Sequence, residues 1–345
     1  MKHSKNANGS KQHFMILVAG IVLALGMVIC LGLGRFSVPA IETTRIILNE
    51  YLPVTLAQTW TEQMASVIIT IRLPRILGAA LVGAALALSG ATYQGVFKNP
   101  LVSPDLLGVS SGACVGAAVA ILAGLPSLGI QLSALLFGLL TVWLTTMIPK
   151  LFKNNSSLML VLAGVIVSGL MSAMLGLAKY VADPEEQLAS IIYWTMGSLS
   201  GIRMRDVMIV APAMIIAFVV LIALRWRVNL LSLGDKEAKS LGVNIQRVRG
   251  ITILCSTVLT ACGVCMCGTI GWVGLVVPHF ARILIGHDNR FLMPMSGILG
   301  AVMFVIVDTI ARNLTGSEIP LSIITGVVGA PLFLCLLLVQ KTRID

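Results

Sequence analysis

Apolar residues fill this chain in long runs, and polar or charged residues collect in the short segments between them. A helix needs about 20 apolar residues to cross a bilayer core, and roughly ten runs have about that length. The pattern predicts an all-α integral membrane protein with about ten transmembrane helices, forming one transmembrane domain over residues 1–345. The runs are centred in residues 14–33, 66–95, 105–124, 128–149, 157–180, 207–225, 250–267, 271–285, 293–312 and 322–339.

Composition supports this prediction. Apolar residues make up 57% of the chain and charged residues 11%, whereas a soluble chain carries about 25% charged residues. A chain so poor in charge cannot present a surface compatible with water, which excludes a soluble protein. Small residues also recur every four positions at Ala79, Gly83, Ala87 and Ala91, a spacing that lets membrane helices pack closely.

The N-terminal run determines the predicted topology. Three lysines precede an apolar stretch from Phe14 to about Leu33, which resembles a signal peptide. It is longer than the usual apolar region of about 7–15 residues, and no clear A-x-A cleavage site follows. We therefore predict a retained first helix with a cytoplasmic N-terminus and, with ten helices, a cytoplasmic C-terminus.

The basic residues agree with this topology. About two-thirds of the 24 Lys and Arg residues fall on the cytoplasmic side, as the positive-inside rule requires. The net charge of +10 therefore reflects membrane orientation. Because the basic residues are dispersed over several loops, they do not indicate a nucleic-acid partner.

The largest predicted cytoplasmic loop, residues 226–249, contains a short helix of the soluble type. Ser232 and Asp235 form an S-x-x-D capping box at its start, and Asp235 and Lys239 form an i,i+4 ion pair. Gly242 is placed to terminate the helix. We expect Leu233, Glu237, Ala238 and Leu241 to share roughly one face. Such a helix lies on lipid headgroups or docks into a partner protein.

Several kinds of catalytic site are absent from the sequence. It contains no G-x-x-x-x-G-K-[ST] phosphate loop and no H-E-x-x-H motif, and we predict neither catalytic nor metal-binding residues. The seven cysteines lie in apolar runs, where they are interpreted as small helix residues. Asp308 lies well inside an apolar run, and we expect Arg312, one helical turn later, to neutralise it. The chain thus has neither an ATPase site nor an evident proton path.

Four blocks of sequence resemble the FecCD family of ABC importer permeases, whose best-known member is the vitamin B12 permease BtuC. The blocks follow one another in family order from residue 72 onward, while residues 1–65 match least. They are RLPRILGAALVGAALALSGATYQGVFKNPLVSPDLLGVSSGA (72–113), LSLGDKEAKSLGV (231–243), GTIGWVGLVVPHFARILIGHDNRFLMP (268–294), and DTIAR (308–312) with EIPLSIITGVVGAP (318–331).

The resemblance implies a BtuC-like type II ABC importer permease fold in the bacterial cytoplasmic membrane. It implies a transport subunit, not an enzyme, that passes an iron(III)-siderophore-type chelate into the cytoplasm. The implied partners are two ABC ATPase subunits that use the ATP, an extracytoplasmic solute-binding protein, and a second permease copy or paralogue; the chain itself binds no cofactor. Haem or cobalamin import by the same family is an alternative. An ion-coupled secondary transporter is a second alternative, and a channel is a third.

The resemblance also implies three sets of site residues. Residues of the coupling segment dock into the ATPase; they are Ser232, Leu233, Gly234, Asp235, Glu237, Ala238, Leu241 and Gly242. Arginines of the outer face receive the binding protein; they are Arg72, Arg75 and Arg312. Residues of two helix turns form the cytoplasmic gate; they are Asn99, Pro100, Leu101, Asn155 and Ser156. The alternative readings are that the arginines are interfacial anchors and that the turns are ordinary helix connections.

Overall fold

The computed structural model describes residues 2–53, 57–153 and 156–341, and every regular element in these ranges is helical. The α-helices are α1 (Lys2–Gly32), α2 (Ala40–Tyr51), α3 (Glu62–Ser66), α4 (Leu73–Phe97), α5 (Val109–Leu122), α6 (Ser127–Leu151), α7 (Ser157–Val181), α8 (Gln187–Met196), α9 (Met204–Leu233), α10 (Asp235–Ser240), α11 (Ile245–Cys267), α12 (Val273–Ile285), α13 (Asn289–Asn313) and α14 (Leu321–Lys341). A π-helical turn (Val67–Arg72) joins α3 to α4, and a 3₁₀ turn (Pro104–Leu107) precedes α5.

The apolar runs of the sequence form the long helices. Within the described ranges, seven helical segments are long and apolar enough to cross a membrane. They comprise α1, the continuous α3–α4 segment, α6, α7, α9, α11 and α13. The shorter apolar helices α5, α12 and α14 account for the other three predicted runs. This all-helical membrane architecture confirms the predicted fold class.

Helix α4 lies at the centre of the bundle, and most of its side chains are buried. It packs against α9, α11, α12 and α13. The packing depends on glycine: a Cβ at Gly83 would collide with the carbonyl oxygen of Gly300 on α13, and one at Gly90 with that of Gly274 on α12. The small-residue spacing therefore brings backbones into direct contact, as predicted.

The two ends of α4 define two opposite faces of the bundle. One end carries Arg75, which contacts α13, and the other is followed by Lys98, which contacts α10. We call the end with Arg72, Arg75 and Arg312 the arginine face, and the end with α10 the α10 face. The N-terminal part of α1 belongs to the α10 face, because the Gln12 side chain donates to the carbonyl of Ile285 at the end of α12, at 2.8 Å.

Candidate functional site

The α10 helix starts differently from the sequence prediction. Helix α9 continues through Leu233, and the Ser232 hydroxyl donates to the Asn229 carbonyl at 2.7 Å instead of capping α10. The N-cap position is taken by Gly234, at φ +146°. The predicted Ser232–Asp235 capping box is wrong because α9 stays helical to keep Val228 and Leu231 buried. The chain breaks only at Gly234, where the backbone adopts a conformation essentially restricted to glycine.

Asp235 fixes α10 to two other helices. Its carboxylate accepts a bond from Arg249 on α11 at 3.0 Å and pairs with Lys98 at 3.5 Å. The predicted pair with Lys239 is therefore wrong: Asp235 is used for tertiary contacts and not for an i,i+4 pair. Partial burial acts to raise the pKa of the Asp235 carboxyl, but Arg249 and Lys98 outweigh it and the pKa is lowered. The carboxylate is therefore held in the charged form that these contacts need.

The C-terminal end of α10 follows the prediction. Gly242 adopts φ +78°, and its N–H donates to the Lys239 carbonyl at 3.0 Å. The Val243 N–H donates to the Ala238 carbonyl, also at 3.0 Å. These two bonds form a Schellman motif, which favours glycine at the left-handed position.

The side chains of the coupling segment do not share a single face. Ala238 is fully buried against the bundle, whereas Leu233 and Leu241 are 63% and 58% exposed. Glu237 is also exposed. The expectation of one common face is therefore wrong. Ala238 anchors α10 in the bundle, and Leu233 just before the helix and Leu241 just after it are exposed.

On the arginine face, Arg72 closes the end of α1. Its Nη1 donates to the carbonyls of Leu31 and Gly32 at 2.8 and 3.1 Å, and its Nη2 donates to that of Phe36 at 2.5 Å. The last carbonyls of a helix have no partner within the helix, and a cation there also complements the helix dipole. Arg72 is thus a C-terminal cap supplied from a distant segment.

Asp308 is paired with Arg75. The Nε of Arg75 lies 2.9 and 3.0 Å from the two carboxylate oxygens of Asp308, and its Nη1 lies 2.7 Å from Oε1 of Glu318. Arg312 instead donates through Nη2 to the carbonyl of Cys30. The predicted pairing of Asp308 with Arg312 is therefore wrong, because the ion-pair partner of Asp308 is Arg75. The charge of Asp308 is neutralised by Arg75 of α4, which crosslinks α4 and α13.

The three arginines are more buried than expected for groups at a membrane edge. Arg72, Arg75 and Arg312 are only 5%, 6% and 8% exposed. They line an open cavity of about 400 Å³ together with Glu318 and residues 34–36. Their role in receiving a binding protein stays a prediction. Because all three make contacts within the chain, any such role comes in addition to a structural one.

The predicted gate residues that the structure describes lie in two helix connections. Lys98 ends α4 in the left-handed conformation, at φ +54°, and Oδ1 of Asn99 accepts the Leu101 N–H at 2.9 Å. Leu101 is exposed. Ser156 caps α7 by accepting the Met159 N–H at 3.2 Å. Asn155 lies outside the described residues, and the gating role stays a prediction.

Two polar groups with no role in the sequence prediction are important in the structure. Glu318 is a second carboxylate for Arg75, and Gln94 accepts a hydrogen bond from Arg282. Both lie within the blocks that resemble the family, which is the only sequence signal that points to them. Their partners are 243 and 188 residues away, so no local spacing predicts the pairs.

Comparison with known proteins identifies the chain. The FecCD transport family model matches residues 21–339, and the chain belongs to that family. It is 41% identical over 313 residues to the molybdate import system permease protein MolB of Haemophilus influenzae, covering 91% of this chain and 92% of that protein. It is 40% identical over 274 residues to a probable iron chelatin transport system permease protein of Helicobacter pylori, covering 79% and 83%.

A solved structure agrees with this assignment. An inward-facing conformation of a metal-chelate-type ABC transporter superposes with a TM-score of 0.83 at 40% identity, covering 94% of this chain and 98% of that one. The family, its named permeases and the shared fold together define the chain as an ABC importer permease, a transport component and not an enzyme. The resemblance found in the four sequence blocks is confirmed.

Proposed function

We propose that this permease imports an iron(III)-siderophore-type chelate, driven by two separate ATPase subunits that dock on the α10 face. In this proposal the α10 face is cytoplasmic and the arginine face is extracytoplasmic. A solute-binding protein delivers the chelate to the arginine face, and a second permease copy or a paralogue completes the pathway. ATP is used by the partner subunits, and this chain binds no cofactor.

The main support for ATPase docking on the α10 face is the pair of exposed leucines that flank α10. Single exposed leucines are common on protein surfaces. Leu233 and Leu241, however, bracket a short helix that Asp235 ties to α4 and α11 and that Ala238 anchors in the bundle. A rigid helix with an apolar side chain at each end suits a protein partner, because little conformational entropy is lost when the partner covers it.

An iron chelate as the substrate is supported by two proteins that resemble this chain, the iron chelatin permease and the metal-chelate-type transporter. Molybdate is a second candidate, because the molybdate permease matches a larger share of the chain at a similar identity. Haem and cobalamin are alternatives within the same family. The selectivity of such a system is expected to reside in its binding protein.

Transport by the assembled system tests the proposal. The chain is reconstituted in proteoliposomes with its partner ATPase and binding protein, and uptake of a ferric siderophore, molybdate, haem and cobalamin is measured in parallel. We expect ATP-dependent uptake of the ferric siderophore that a proton ionophore leaves unchanged. Uptake of molybdate alone would show that molybdate, and not a ferric siderophore, is the substrate. ATP-independent uptake that the ionophore abolishes would contradict ATP-driven import of either substrate.

The arginine face is proposed as the landing site of the binding protein. Arg72, Arg75 and Arg312 outnumber the two carboxylates beside them, Asp308 and Glu318, and the three arginines line an open cavity. The excess of positive charge suits an acidic partner surface, whose approach it would accelerate. Charge at such a surface is screened by salt, so binding should weaken as ionic strength rises.

The two helix connections are proposed as the gate between permease subunits. Asn99 and Ser156 each support a tight turn through a side-chain bond to the backbone. Cysteines at these positions should crosslink between subunits in one nucleotide state and not in another. The wild-type chain, in which Cys335 is exposed, provides the background, and crosslinking independent of nucleotide would contradict the gating role.

A further inference from the structure

A second charged cavity opens on the α10 face, and the proposal above assigns it no ligand. It has a volume of about 300 Å³ and lies between the ends of α4, α9 and α12 and the start of α13. Its titratable lining side chains are Lys98, His279, Arg282 and His287. Among the described residues that line this cavity there is no aspartate or glutamate. The cavity therefore collects cationic and imidazole groups without a carboxylate.

Arg282 lacks a counter-ion within the chain. Its Nη2 donates to Oε1 of Gln94, but its Nη1 is buried and has no hydrogen-bond partner in the described part of the chain. No described carboxylate lies within ion-pair distance of it. Arg282 is half-buried as a residue, so its Nη1 is the group that a ligand in the cavity would pair with. The arginine face shows the contrast, because Arg75 there holds two carboxylates.

The acids nearest in sequence to the lining residues are already engaged. Asp235 pairs with Lys98 and Arg249, and Asp288, between His287 and Asn289, pairs with Arg290 at 2.5 Å. Neither is free to neutralise Arg282. The described part of the chain therefore supplies no carboxylate to Arg282.

Gln94 is held so that its oxygen faces Arg282. Its amide nitrogen lies 3.2 Å from the carbonyl of Val102 and 3.4 Å from that of Leu275, which leaves the amide oxygen for the guanidinium. One side of the guanidinium is therefore fixed by Gln94. A planar guanidinium fixed in this way is suited to bind an oxyanion, because it donates in a rigid fork.

We propose that this cavity binds a phosphate-type oxyanion. The volume equals that of roughly ten water molecules, which leaves room for a tetrahedral anion with part of its hydration shell. Arg282 supplies the unpaired charge and Lys98, which also contacts Asp235, lies beside it; His287 is at the exposed rim and Asn289 is in the buried wall. The anion is either free in solution or the phosphate of a lipid headgroup, since the cavity lies where helices end at one membrane face. The site lies on the α10 face, whereas the chelate is proposed to arrive at the arginine face.

Occupancy of the site would affect two parts of the permease. The cavity wall includes Asn99 and Pro100 of the predicted gate turn, and Ser232 at the junction of α9 and α10. A bound anion would contact both the turn and the junction. Binding of an anion in this cavity would therefore change the contacts of both the gate turn and the coupling segment.

Equilibrium dialysis of the purified, delipidated full chain with radioactive inorganic phosphate, at constant ionic strength, tests the proposal. We expect saturable binding that the Arg282→Gln substitution weakens roughly tenfold or more, because a charge-assisted hydrogen bond is lost. Arg247→Gln is the matched control: Arg247 lies in the first turn of α11 next to α10, is exposed, and does not line the cavity. It should leave phosphate binding unchanged.

Two further arms make the test independent of folding and identify the source of the anion. His287→Glu places a carboxylate at an exposed rim position and should abolish phosphate binding, whereas His287→Gln should retain most of it. Displacement of phosphate by phosphatidylglycerol in nanodiscs would assign the site to a lipid headgroup, and persistence of binding would assign it to a free anion. Absence of saturable binding to the wild type, or equal losses in Arg282→Gln and Arg247→Gln, would overturn the proposal.

Discussion

The two faces of this permease use charged side chains in opposite ways. On the arginine face, Arg75 and Asp308 are buried and paired with one another, so the charges crosslink helices. On the α10 face, Asp235 and Lys98 are exposed enough to meet solvent, and they position a short helix that presents two leucines. Buried pairs show how the bundle is held together, whereas the fixed helix with uncovered leucines is where we propose that a partner docks.

The largest expected effect comes from breaking the buried pair on the arginine face. Asp308→Asn leaves Arg75 with only Glu318, and removing one partner of a buried pair costs about 3–5 kcal/mol. We expect a large loss of thermal stability in detergent, measured by the melting of the purified chain. Glu50→Gln, which changes an exposed carboxylate of α2, is the matched control and should melt like the wild type. Equal melting of Asp308→Asn and the control would contradict the crosslinking role.

A smaller effect is expected from removing the cap of α1. Arg72→Met keeps a long apolar stem but loses the three bonds to the carbonyls of Leu31, Gly32 and Phe36. The Gly32 carbonyl keeps the bond from the Val38 N–H at 3.1 Å and Phe36 is exposed, so the main cost is the Leu31 carbonyl, about 1–3 kcal/mol if it is left without a donor. The measurement is protease sensitivity near residues 31–36, which should increase in the variant. Unchanged sensitivity would show that the cap is dispensable.

On the α10 face, Asp235→Asn should loosen α10 and leave the bundle intact. Exposed ion pairs contribute about 0.2–1 kcal/mol each, so the melting temperature should fall only slightly. Hydrogen exchange in residues 235–243 should accelerate, because the helix loses its ties to α4 and α11. Lys236→Gln, at an exposed position without a described ion pair, should leave that exchange unchanged. A melting loss as large as that of Asp308→Asn would contradict the contrast between the faces.

The smallest effect concerns the rim of the arginine face. Arg35 is exposed and lines the same cavity as the three buried arginines. Arg35→Glu should slow association with the binding protein by a few fold at low salt and less at high salt, because rim charges act mainly on the on-rate. Surface plasmon resonance at two salt concentrations provides the measurement. Identical association rates for variant and wild type at low salt would exclude this face as the landing site.

The sequence was sufficient to predict the features that depend on local pattern. The apolar runs predicted the membrane helices, the small-residue spacing around Gly83 predicted the close packing of α4, and Gly242 predicted the end of α10. Features that depend on tertiary structure were not predictable. Arg312 lies one turn from Asp308, but the partner that the fold supplies is Arg75, 233 residues away.

The prediction of where α10 begins was wrong for a related reason. Ser232 and Asp235 have the local spacing of a capping box, but the burial of Leu231 keeps α9 helical past Ser232. The role of Arg72 could not be read from sequence either, because its acceptors belong to the end of a helix about 40 residues earlier. Local rules thus held at Gly242 and Gly83, and they failed where residues distant in the sequence determine the contacts, as at Asp235 and Arg72.

The central claim, that α10 with its two leucines is the ATPase docking site, is tested most directly by co-purification. The double substitution Leu233→Glu, Leu241→Glu changes exposed side chains and leaves the buried Ala238 in place. Its matched control is Leu52→Glu, Leu314→Glu, two exposed leucines outside α10. Both variants are purified from membranes that also contain the ATPase, and the amount of ATPase that co-purifies is measured. We predict that the Leu233/Leu241 variant loses at least roughly tenfold in ATPase recovery, with wild-type recovery in the control; wild-type recovery in both, or equal losses in both, would contradict the claim.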